Sequence, residues 1–409
     1  MRLHRHIAMA DPPFSPKSLG GLVLWLRGDL GVTLNPPTLT FPDALDNAAW
    51  TKNGATVTPD ATLDPFGTSL ADSLIEDGTL GVHSALQVAG SWVNGLTATV
   101  TWYVKAGTRS FVHVGTTNEG SWFNVGTGAL GTNDGSTARS ITAVAGFPGW
   151  FLLSVTITPT SSSVRLYMGS ADNTPSYQGD GVSNVFAIRA EVSQPKVSAW
   201  ADQSGLGNNV SQGTAANQPL WEAASFGGKP AVLTDGVNDN LRGTGASMLA
   251  VINGTQKPFT YAISGQFVTQ VASAEMFAWS QSSSGLDFER FRLDAGPANY
   301  VTDRRDDGAT VVSGIGPASG TAQHGWIHVM PGTTSSLFTD NAARGGDPTA
   351  YSNGVITNID NFMLGAGDFA GPAGFSNSRI AEVIVYNRAL SAADRARLYS
   401  YQKARYGTP

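Results

Sequence analysis

The stretch that most constrains the fold is residues 196–241, KVSAWADQSGLGNNVSQGTAANQPLWEAASFGGKPAVLTDGVNDNL. Its first residues, V-S-A-W at 197–200, form a short alternating run that is typical of a half-buried strand. The Asp, Ser, Asn and Gly residues at 202–209 are types that turn a chain and hydrogen-bond to their own backbone. A second apolar run at 230–233 ends in the polar turn 235–239. This stretch therefore predicts a strand, a long ordered loop and a second strand.

The motifs W-A-D-Q-S-G-x-G-N-N, A-N-Q-P and D-G-V-N-D-N-L within this stretch resemble the opening of concanavalin A-like (laminin-G-like) lectin domains. Residues 379–407 resemble the last strand and terminal helix of that family, and residues 21–35 resemble its first strand. In typical members the first strand runs almost directly into K-V-S-A-W, whereas a long block separates them here. The resemblance implies one discontinuous domain, 18–36 and 195–409, with a second domain at 37–194 inserted in a loop.

The inserted block contains short apolar runs at regular spacing and no convincing helix, which indicates a second β-sandwich. Its expected strands lie at 98–104, 111–114, 151–158, 163–168 and 185–192. The motifs D-N-A-A-W-T-K, W-Y-V-K-A-G, G-W-F-L-L-S-V and Y-Q-G-D-G resemble a module of phage tail and fibre proteins that is similar to jelly-roll carbohydrate-binding modules. We therefore expect an all-β fold of two antiparallel β-sandwiches (jelly rolls), one inserted in a loop of the other, plus a short C-terminal helix.

The two ends of the chain carry different signals. Ser391 is expected to cap the C-terminal helix, with Asp394 three residues later, and we expect this helix to cover an edge of the sandwich. Residues 1–17 lack periodicity and are rich in proline. They form an N-terminal arm in this interpretation, either a disordered leader or a docking segment that orders against another virion protein.

Composition excludes several classes of protein. Charged residues make up only 14% of the chain and the net charge is −6, which argues against a nucleic-acid partner. The chain has no cysteine, so it forms no disulfide and has no thiol chemistry. No apolar run approaches the roughly 18 residues of a membrane span, and the N-terminus lacks the apolar core of a secretory signal. We expect no membrane insertion and a location on a virion surface, after assembly in the host cytoplasm and release by lysis.

Catalysis has one candidate pair in the sequence. Retaining glycosidases need two carboxylates about 5–5.5 Å apart, and residues at i and i+2 share one face of a strand. Asp287 and Glu289 alternate in this way, but Arg290 and Arg292 flank them on the same strand, as in a charge-paired strand. No G-x-S-x-G elbow, phosphate-binding loop or H-E-x-x-H motif is present. A binding or structural protein is therefore the better interpretation, and no catalytic residue is assigned.

Two kinds of binding site follow from residue type. Asp235, Asn238 and Asp239 supply hard oxygen ligands in a glycine-containing turn, which suits Ca²⁺, although plain turn chemistry explains the same residues. Calcium is the one cofactor that the sequence suggests. Sugars stack on exposed aromatic faces, and four aromatic residues lie in or beside segments without a family match. They are Trp92, Trp221, Trp279 and Tyr300, of which Trp92 and Tyr300 are expected in loops.

The resemblance, together with this composition, implies a bacteriophage virion surface protein: a tail-fibre, spike or head-decoration component. Its expected partners are other virion proteins and host-surface polysaccharide, which it would bind without covalent chemistry. Virion appendages are commonly trimeric, so a homo-oligomer is also expected. Two alternatives stay open at this point: a purely structural capsid or tail decoration protein without glycan binding, and a polysaccharide hydrolase.

Overall fold

A computed structural model describes residues 14–35, 39–90, 92, 94–254, 257–283, 287–294, 299–306, 309–317, 321–332, 334–343, 349–350 and 355–409. Residues 1–13 of the predicted N-terminal arm lie outside this set. The chain forms two compact units. Unit 1 consists of the chain up to Leu34 together with Lys196–Pro409, and unit 2 is Asn35–Pro195. The boundaries expected from the sequence, 36/37 and 194/195, lie close to these.

Strands dominate both units, and they are numbered here in chain order. The strands up to residue 193 are β1 (Leu22–Arg27), β2 (Val32–Leu34), β3 (Thr51–Asn53), β4 (Ala55–Thr62), β5 (Ala71–Glu76), β6 (Leu80–Val88), β7 (Ala98–Ala106), β8 (Phe111–Gly115), β9 (Gly120–Asn124), β10 (Ala129–Asp134), β11 (Ala138–Ala143), β12 (Trp150–Ile157), β13 (Ser163–Gly169), β14 (Ser176–Gln178) and β15 (Asn184–Ser193).

The remaining strands belong to unit 1. They are β16 (Val197–Trp200), β17 (Val210–Ser211), β18 (Leu220–Phe226), β19 (Lys229–Leu233), β20 (Leu241–Gly243), β21 (Phe259–Phe267), β22 (Glu275–Ser280), β23 (Phe288–Leu293), β24 (Asn299–Asp306), β25 (Ala309–Pro317), β26 (His324–Met330), β27 (Thr334–Thr339), β28 (Ala342–Ala343), β29 (Thr349–Ala350), β30 (Asn361–Leu364), β31 (Gly367–Asp368), β32 (Pro372–Ala373) and β33 (Ser378–Tyr386). The helical segments are the 3-10 turns Pro16–Ser18 and Ala215–Asn217, α1 (Ala246–Leu249) and α2 (Ala392–Tyr406).

Unit 1 is a sandwich of two antiparallel sheets. Sheet A has the order β18-β19-β33-β21-β26-β27-β28, with β1 paired to β33 and β29 paired to β27. Sheet B has the order β2-β16-β17-β20-β30-β22-β23-β24-β25. Their facing side chains form one apolar core that includes Trp200, Phe277, Trp326 and Val383, all essentially without exposed surface.

Unit 2 is a second sandwich with its own core. Sheet C has the order β10-β9-β8-β13-β6-β14, with β3 paired to β6, and sheet D has the order β11-β12-β7-β15-β5-β4. Trp50 and Trp102 pack together at its centre, with ring centroids 5.3 Å apart. The all-β fold of sandwiches with a short C-terminal helix is thereby confirmed.

The large buried side chains of the two units include Trp25, Trp50, Trp102, Trp150, Trp200 and Trp326. Burial of such large rings supplies much of the apolar area that stabilises a sandwich. No helix in the described part of the chain combines the length and the apolar character needed to cross a bilayer.

The C-terminal helix begins where the sequence predicted, because the Ser391 hydroxyl accepts a hydrogen bond from the Asp394 amide at 3.1 Å. It does not cover a sandwich edge, which corrects that expectation. Leu398 of α2 packs with Trp25, Ile327 and Ile384 on the outer face of sheet A. These residues belong to β1, β26 and β33, and Ala262 of the intervening β21 lies in the same cluster, so the helix covers a sheet face that would otherwise expose apolar side chains.

Candidate functional site

The polar loop at 202–209 is held in place by hydrogen bonds to β1 and within the loop itself. Oδ1 of Asp202 accepts hydrogen bonds from the backbone amides of Trp25 (2.9 Å) and Ser204 (2.8 Å), and its Oδ2 accepts one from the Asn208 amide (3.0 Å). The Asn208 side chain donates to the Val23 carbonyl at 2.7 Å. The loop is therefore tied to β1 by hydrogen bonds, and these contacts account for its polar side chains without a ligand.

A polar pocket of about 410 Å³ opens beside that loop, where the short strands β17 and β20 pair through Ser211 and Arg242. Its volume lies within the range of ligand pockets in proteins, roughly 300–1,000 Å³. Amide, hydroxyl and guanidinium groups supply most of its polar walls. The residues that line it are Ser211, Gln212, Gly213, Asn217, Asn240, Arg242, Thr244, Met363 and Pro372.

Amide side chains hold one wall of the pocket in place. Gln212 donates from Nε2 to Oδ1 of Asn240 at 2.9 Å, and its Oε1 accepts from the Thr214 amide at 3.0 Å. Asn240 donates from Nδ2 to the Asn238 carbonyl at 3.0 Å, and Gln218 donates to the Gln212 carbonyl at 2.7 Å. These contacts fix the rotamers of the wall before any ligand arrives, which reduces the entropy cost of binding.

Arg242 supplies the charged group of the pocket. Its guanidinium pairs with the buried carboxylate of Asp368, and its side chain remains 40% exposed. A guanidinium carries five N–H donors in a rigid plane. A single carboxylate cannot accept hydrogen bonds from all five. Arg242 therefore presents oriented donors to whatever enters the pocket.

The sequence reasoning missed this pocket as a site. Gln212 and Asn240 lie in the stretch that carries the family resemblance, and Arg242 follows directly after it, but no role was assigned to these residues. Asn240 and Arg242 are two residues apart in sequence at the start of β20, and this spacing is a weak indication that they share one face of the strand. The pairing of β17 with β20 brings Gln212 beside them, and that pairing is not visible in the sequence.

The predicted calcium turn is arranged by its own backbone. Oδ1 of Asp235 accepts from the amides of Val237, Asn238 and Asp239, and Oδ2 of Asp239 accepts from the Asp235 amide. Burial, together with the neighbouring Asp235 charge, raises the pKa of Asp239 to about 8, and the buried Lys196 ammonium opposes that rise.

The turn offers oxygen atoms of the type that calcium binds, including Oδ1 of Asn238, which is buried without a hydrogen-bond partner. Two carboxylates and one amide are nevertheless fewer than the six to eight oxygens that Ca²⁺ takes. Among the described residues, no group of three or more acidic, His or Cys side chains is arranged to hold a metal. The donor set therefore fits only part of a coordination shell, and calcium stays a prediction.

The four predicted sugar-stacking aromatics lie in different environments. Trp279 and Tyr300 are fully buried in the core of unit 1, and Tyr300 lies in β24 and not in a loop. Trp92 lies in a non-strand segment and is 9% exposed in the core of unit 2. A fully buried ring offers no face to a sugar, so Trp279 and Tyr300 act as core side chains in this structure.

Trp221 is the member of this set that reaches the surface. It is half-buried, it donates from Nε1 to the Gly28 carbonyl at 2.8 Å, and it lines a small pocket of about 140 Å³ with Asp29, Val32 and Leu34. Its stacking role stays a prediction.

The catalytic candidates are buried as well. Asp287 and Glu289 are 1% and 0% exposed. Glu289 Oε1 lies 3.7 Å from Nδ1 of His328, whose Nε2 is 2.6 Å from the Ser335 hydroxyl. This sequence of groups resembles a Ser-His-acid triad, but all three side chains have no exposed surface. Burial, with the nearby Arg304 charge, lowers the pKa of His328 to about 3, so the ring is a poor proton acceptor there.

A groove of about 810 Å³ runs along α2 on unit 1. It is defined by Phe14, Arg27, Lys229, Ala396, Arg397, Ser400, Tyr401, Ala404 and Arg405, and is called the helix groove below. Its walls combine apolar and basic side chains, which is typical of a surface for a macromolecular partner more than of a sugar pocket.

No protein-family model matches this chain, and no curated protein matches it. Solved structures match at low similarity. A variant of NanB sialidase from Streptococcus pneumoniae is 16% identical with a TM-score of 0.33, covering 41% of this chain and 27% of its own. Domain 4 of the arabinanase AbnA from Geobacillus stearothermophilus, in complex with arabinotriose, is 11% identical with a TM-score of 0.38, covering 49% and 92%.

Botulinum neurotoxin type C, whose cell entry depends on two ganglioside molecules, is 9% identical with a TM-score of 0.38, covering 50% of this chain and 48% of its own. This chain therefore spans about a quarter of the length of the sialidase chain and about half of the toxin chain. At these identities and TM-scores, the likeness does not define a ligand for this protein.

Proposed function

We propose that this protein is a bacteriophage virion surface component, in a tail fibre, spike or head decoration, that binds host-surface polysaccharide non-covalently. The observation that carries the proposal is the 410 Å³ polar pocket of unit 1, whose amide wall is fixed by hydrogen bonds between side chains and backbone. The family resemblance of the surrounding stretch and the sandwich fold support the same class of ligand.

The chemistry of the pocket suits sugars. Each sugar hydroxyl both donates and accepts a hydrogen bond, so a binding wall needs both kinds of group at fixed positions. Amides such as Asn217 and Asn240 supply both kinds, Ser211 and Thr244 add hydroxyls, and Arg242 supplies donors only. Met363 contributes an apolar contact for the C–H face of a ring. Such a site would hold one or two sugar units of a longer chain.

The same pocket favours binding over hydrolysis. None of its lining residues is Asp, Glu or His, whereas most glycosidases flank the scissile bond with two carboxylates. Asp368 lies beside Arg242, but that carboxylate is engaged by the guanidinium. The catalytic pair considered from the sequence, Asp287 and Glu289, is buried. We therefore propose that the protein does not cleave the polysaccharide it binds.

The helix groove supports the second candidate, a structural decoration protein that binds other virion proteins. Four cationic side chains, Arg27, Lys229, Arg397 and Arg405, surround the rings of Phe14 and Tyr401, whose centroids are 5.8 Å apart. An acidic, partly apolar segment of a neighbouring virion protein would complement this surface. The two candidates are compatible, since the pocket and the groove do not share residues.

The test is a binding panel of purified full chain against host capsular and lipopolysaccharides, with release of reducing ends measured in parallel. We expect saturable binding without reducing-end release. Arg242→Met and Asn240→Ala should each weaken binding by about ten-fold or more, since each removes hydrogen bonds to the ligand. Arg379→Met, which removes an arginine paired with Glu222 on sheet A, is the matched control and should bind like the unaltered chain.

Two results would contradict the proposal. Absence of binding to every host polysaccharide, in a chain that melts cooperatively, would favour the structural candidate. Release of reducing ends would identify a hydrolase. Light scattering of the same sample would test the expected homo-oligomer, with a trimer as the predicted state.

A further inference from the structure

The short hairpin of β31 and β32 forms part of the rim of the unit 1 pocket. Pro372 of this hairpin lines the pocket, and Asp368, which lies opposite Pro372 in the hairpin, contacts Arg242. Asp368 is fixed by its own neighbours: its amide donates to the Ser280 hydroxyl at 3.1 Å, and its Oδ1 accepts from the Gly371 amide at 3.0 Å. The hairpin therefore places a fixed carboxylate against the charged side chain of the pocket wall.

Arg242 is positioned by the sheet and by this carboxylate together. On β20 it lies between Ser211 of β17 and Met363 of β30 in the register of sheet B. Its Nη2 contacts Oδ2 of Asp368, whose side chain is only 3% exposed, whereas the side chain of Arg242 is 40% exposed. The ion pair thus holds the guanidinium in one orientation and leaves further N–H donors for a ligand.

A second carboxylate acts on the same guanidinium. Asp360 directly precedes β30, and its Oδ1 accepts hydrogen bonds from the Ser282 amide at 3.0 Å and from Nδ2 of Asn361 at 2.7 Å. Burial alone would raise the pKa of Asp360, but hydrogen bonds from Ser282 and Asn361, together with the Arg242 charge, hold that pKa below its ordinary range. Asp360 is therefore ionised at pH 7, and its negative charge interacts with the positive charge of Arg242.

The charge balance at this pocket is negative. Among the described residues that line it, only Arg242 carries a formal charge at pH 7. Asp368 and Asp360 set two negative charges against this one positive charge, which leaves a net charge of −1. The whole chain carries −6. An anionic ligand would have to share Arg242 with two carboxylates, and like charges placed side by side in a binding site are unfavourable.

Uncharged sugars avoid this conflict. A sugar hydroxyl can accept a hydrogen bond from a guanidinium that is already paired with a carboxylate, because the hydroxyl brings no charge of its own. Other accessible groups of the wall, Gln212, Asn217 and Thr244, are amides and a hydroxyl, which donate and accept hydrogen bonds without a net charge. The pocket therefore offers many hydrogen-bonding groups and no uncompensated cation.

We infer that the unit 1 pocket selects uncharged sugar units such as hexoses and rejects uronates, and that Asp368 and Asp360 set this specificity. The inference rests on the proposed glycan-binding function and names the substrate class of that same pocket. Asp368 is also a positioning residue, since it orients the donors of Arg242 toward the ligand. On a polysaccharide that contains both kinds of unit, the pocket binds a neutral unit between acidic ones.

Ligand-observed NMR titration of the full chain with matched pairs of sugars tests the inference. The pairs are glucose with glucuronate, galactose with galacturonate and mannose with mannuronate, which differ only in a hydroxymethyl or carboxylate group at C6. We expect at least one neutral sugar to bind, and its uronate to bind at least ten-fold more weakly at low salt. Added salt should narrow this difference, since it screens the charges. The comparison needs no variant, so it stands even if a substitution impairs folding.

Asp368→Asn removes one negative charge and keeps an oxygen for the Gly371 amide. It should reduce the preference for the neutral sugar by about three-fold or more, and Asp360→Asn should move the ratio in the same direction. A purely structural role for Asp368 would instead weaken both members of a pair equally. Glu222→Gln, which removes a carboxylate paired with Arg379 on sheet A, is the matched control and should keep the ratio of the unaltered chain.

Three results of these titrations would each overturn the inference: a uronate that binds as tightly as its neutral partner, failure of all three neutral sugars to bind, or a ratio that neither Asp368→Asn nor Asp360→Asn changes. A host polysaccharide whose uronates have been chemically reduced to hexoses separates this failure from that of the proposed function. We expect the reduced form to bind at least as tightly as the native form. Loss of Arg242-dependent binding on reduction would overturn the specificity alone, whereas absence of binding to both forms would overturn the proposed function with it.

Discussion

Glu382 provides a quantitative test of how unit 1 is held together. It lies on β33 with no exposed surface. Its Oε1 accepts hydrogen bonds from the Trp25 indole at 2.6 Å and from the Tyr401 hydroxyl at 2.7 Å, while Oε2 is buried without a partner. Burial raises the pKa of Glu382 from its ordinary 4.5 to about 7, against the opposing effect of these two hydrogen bonds.

The sign of the pH dependence follows from that direction. Because the folded state holds the proton more tightly than the unfolded state, this residue favours folding most below pH 4.5. That contribution declines as pH rises to about 7. A rise from 4.5 to about 7 corresponds to about 3 kcal/mol in the free energy of unfolding. Glu382→Gln, which cannot ionise, should lose this part of the slope while keeping an oxygen for Trp25 and Tyr401.

The assay is chemical denaturation of both proteins at several pH values between 5 and 8, with the difference in unfolding free energy as the readout. The new amide N–H group lacks an acceptor and adds a cost of about 1–3 kcal/mol at every pH, so the slope is diagnostic and the absolute value is not. As pH rises from 5 to 8, we expect the unfolding free energy of the variant to increase relative to that of the unaltered protein by up to about 3 kcal/mol. A difference that does not change with pH would refute the reasoning.

Three further predictions concern other parts of the chain. Glu76→Gln in unit 2 should show the opposite pH dependence of stability. Burial alone would raise the pKa of Glu76, but hydrogen bonds from Arg109 and Tyr177 hold that pKa below its ordinary range. The variant should therefore lose most stability above pH 4.5 and least in acid. Gly120→Ala should lower the unfolding free energy of unit 2 by about 1–3 kcal/mol in thermal melts, because its Cβ would meet the Val114 carbonyl at 2.3 Å. Gly78→Ala, where a Cβ meets nothing within 4 Å, is the control and should melt like the unaltered chain. If calcium binds the 235–239 turn, adding it should raise the midpoint of unit 1 and chelation should reverse the rise; equal midpoints in both conditions would exclude this site.

Strand positions with strong alternation or long apolar runs could be predicted from the sequence. The expected strands 98–104 and 163–168 begin at the same residues as β7 and β13 of the structure, because apolar side chains mark the inward face of each. The sequence did not predict β9 (Gly120–Asn124). This strand is short and begins at a glycine, and a single tryptophan at 122 does not by itself form an alternating pattern. The position of Trp122 in the sheet is set by the pairing of β9 with β8, where it lies opposite His113.

Tyr300 shows why site residues were harder to predict than strands. Its neighbours T-D-R-R-D-D look like an exposed loop, but Asp303 accepts hydrogen bonds from Arg290 and Arg292 of the adjacent strand. The charges satisfy one another on one face of sheet B, which allows Tyr300 to enter the core on the other. Polarity counted along the chain does not reveal such cross-strand pairing.

The same limit applies to the candidate sites. The pocket of unit 1 joins residues 211–217 and 240–244 with Met363 and Pro372, and the row Ser84, Tyr167, His113 and Trp122 crosses four strands of sheet C. Alternation in V-R-L-Y-M was a usable signal, since it places Arg165 and Tyr167 opposite Val164, Leu166 and Met168. Which residues of β6, β8 and β9 stand beside them depends on strand order and register, which one sequence leaves undetermined.

The most direct test of polysaccharide binding through the unit 1 pocket is a hydrogen-exchange footprint of the full chain with and without a host polysaccharide that it retains. We predict slower amide exchange at residues 211–217 and 240–244, which border the pocket. Protection confined to other segments, or exchange rates that the polysaccharide leaves unchanged, would contradict the assignment of this pocket as the glycan site.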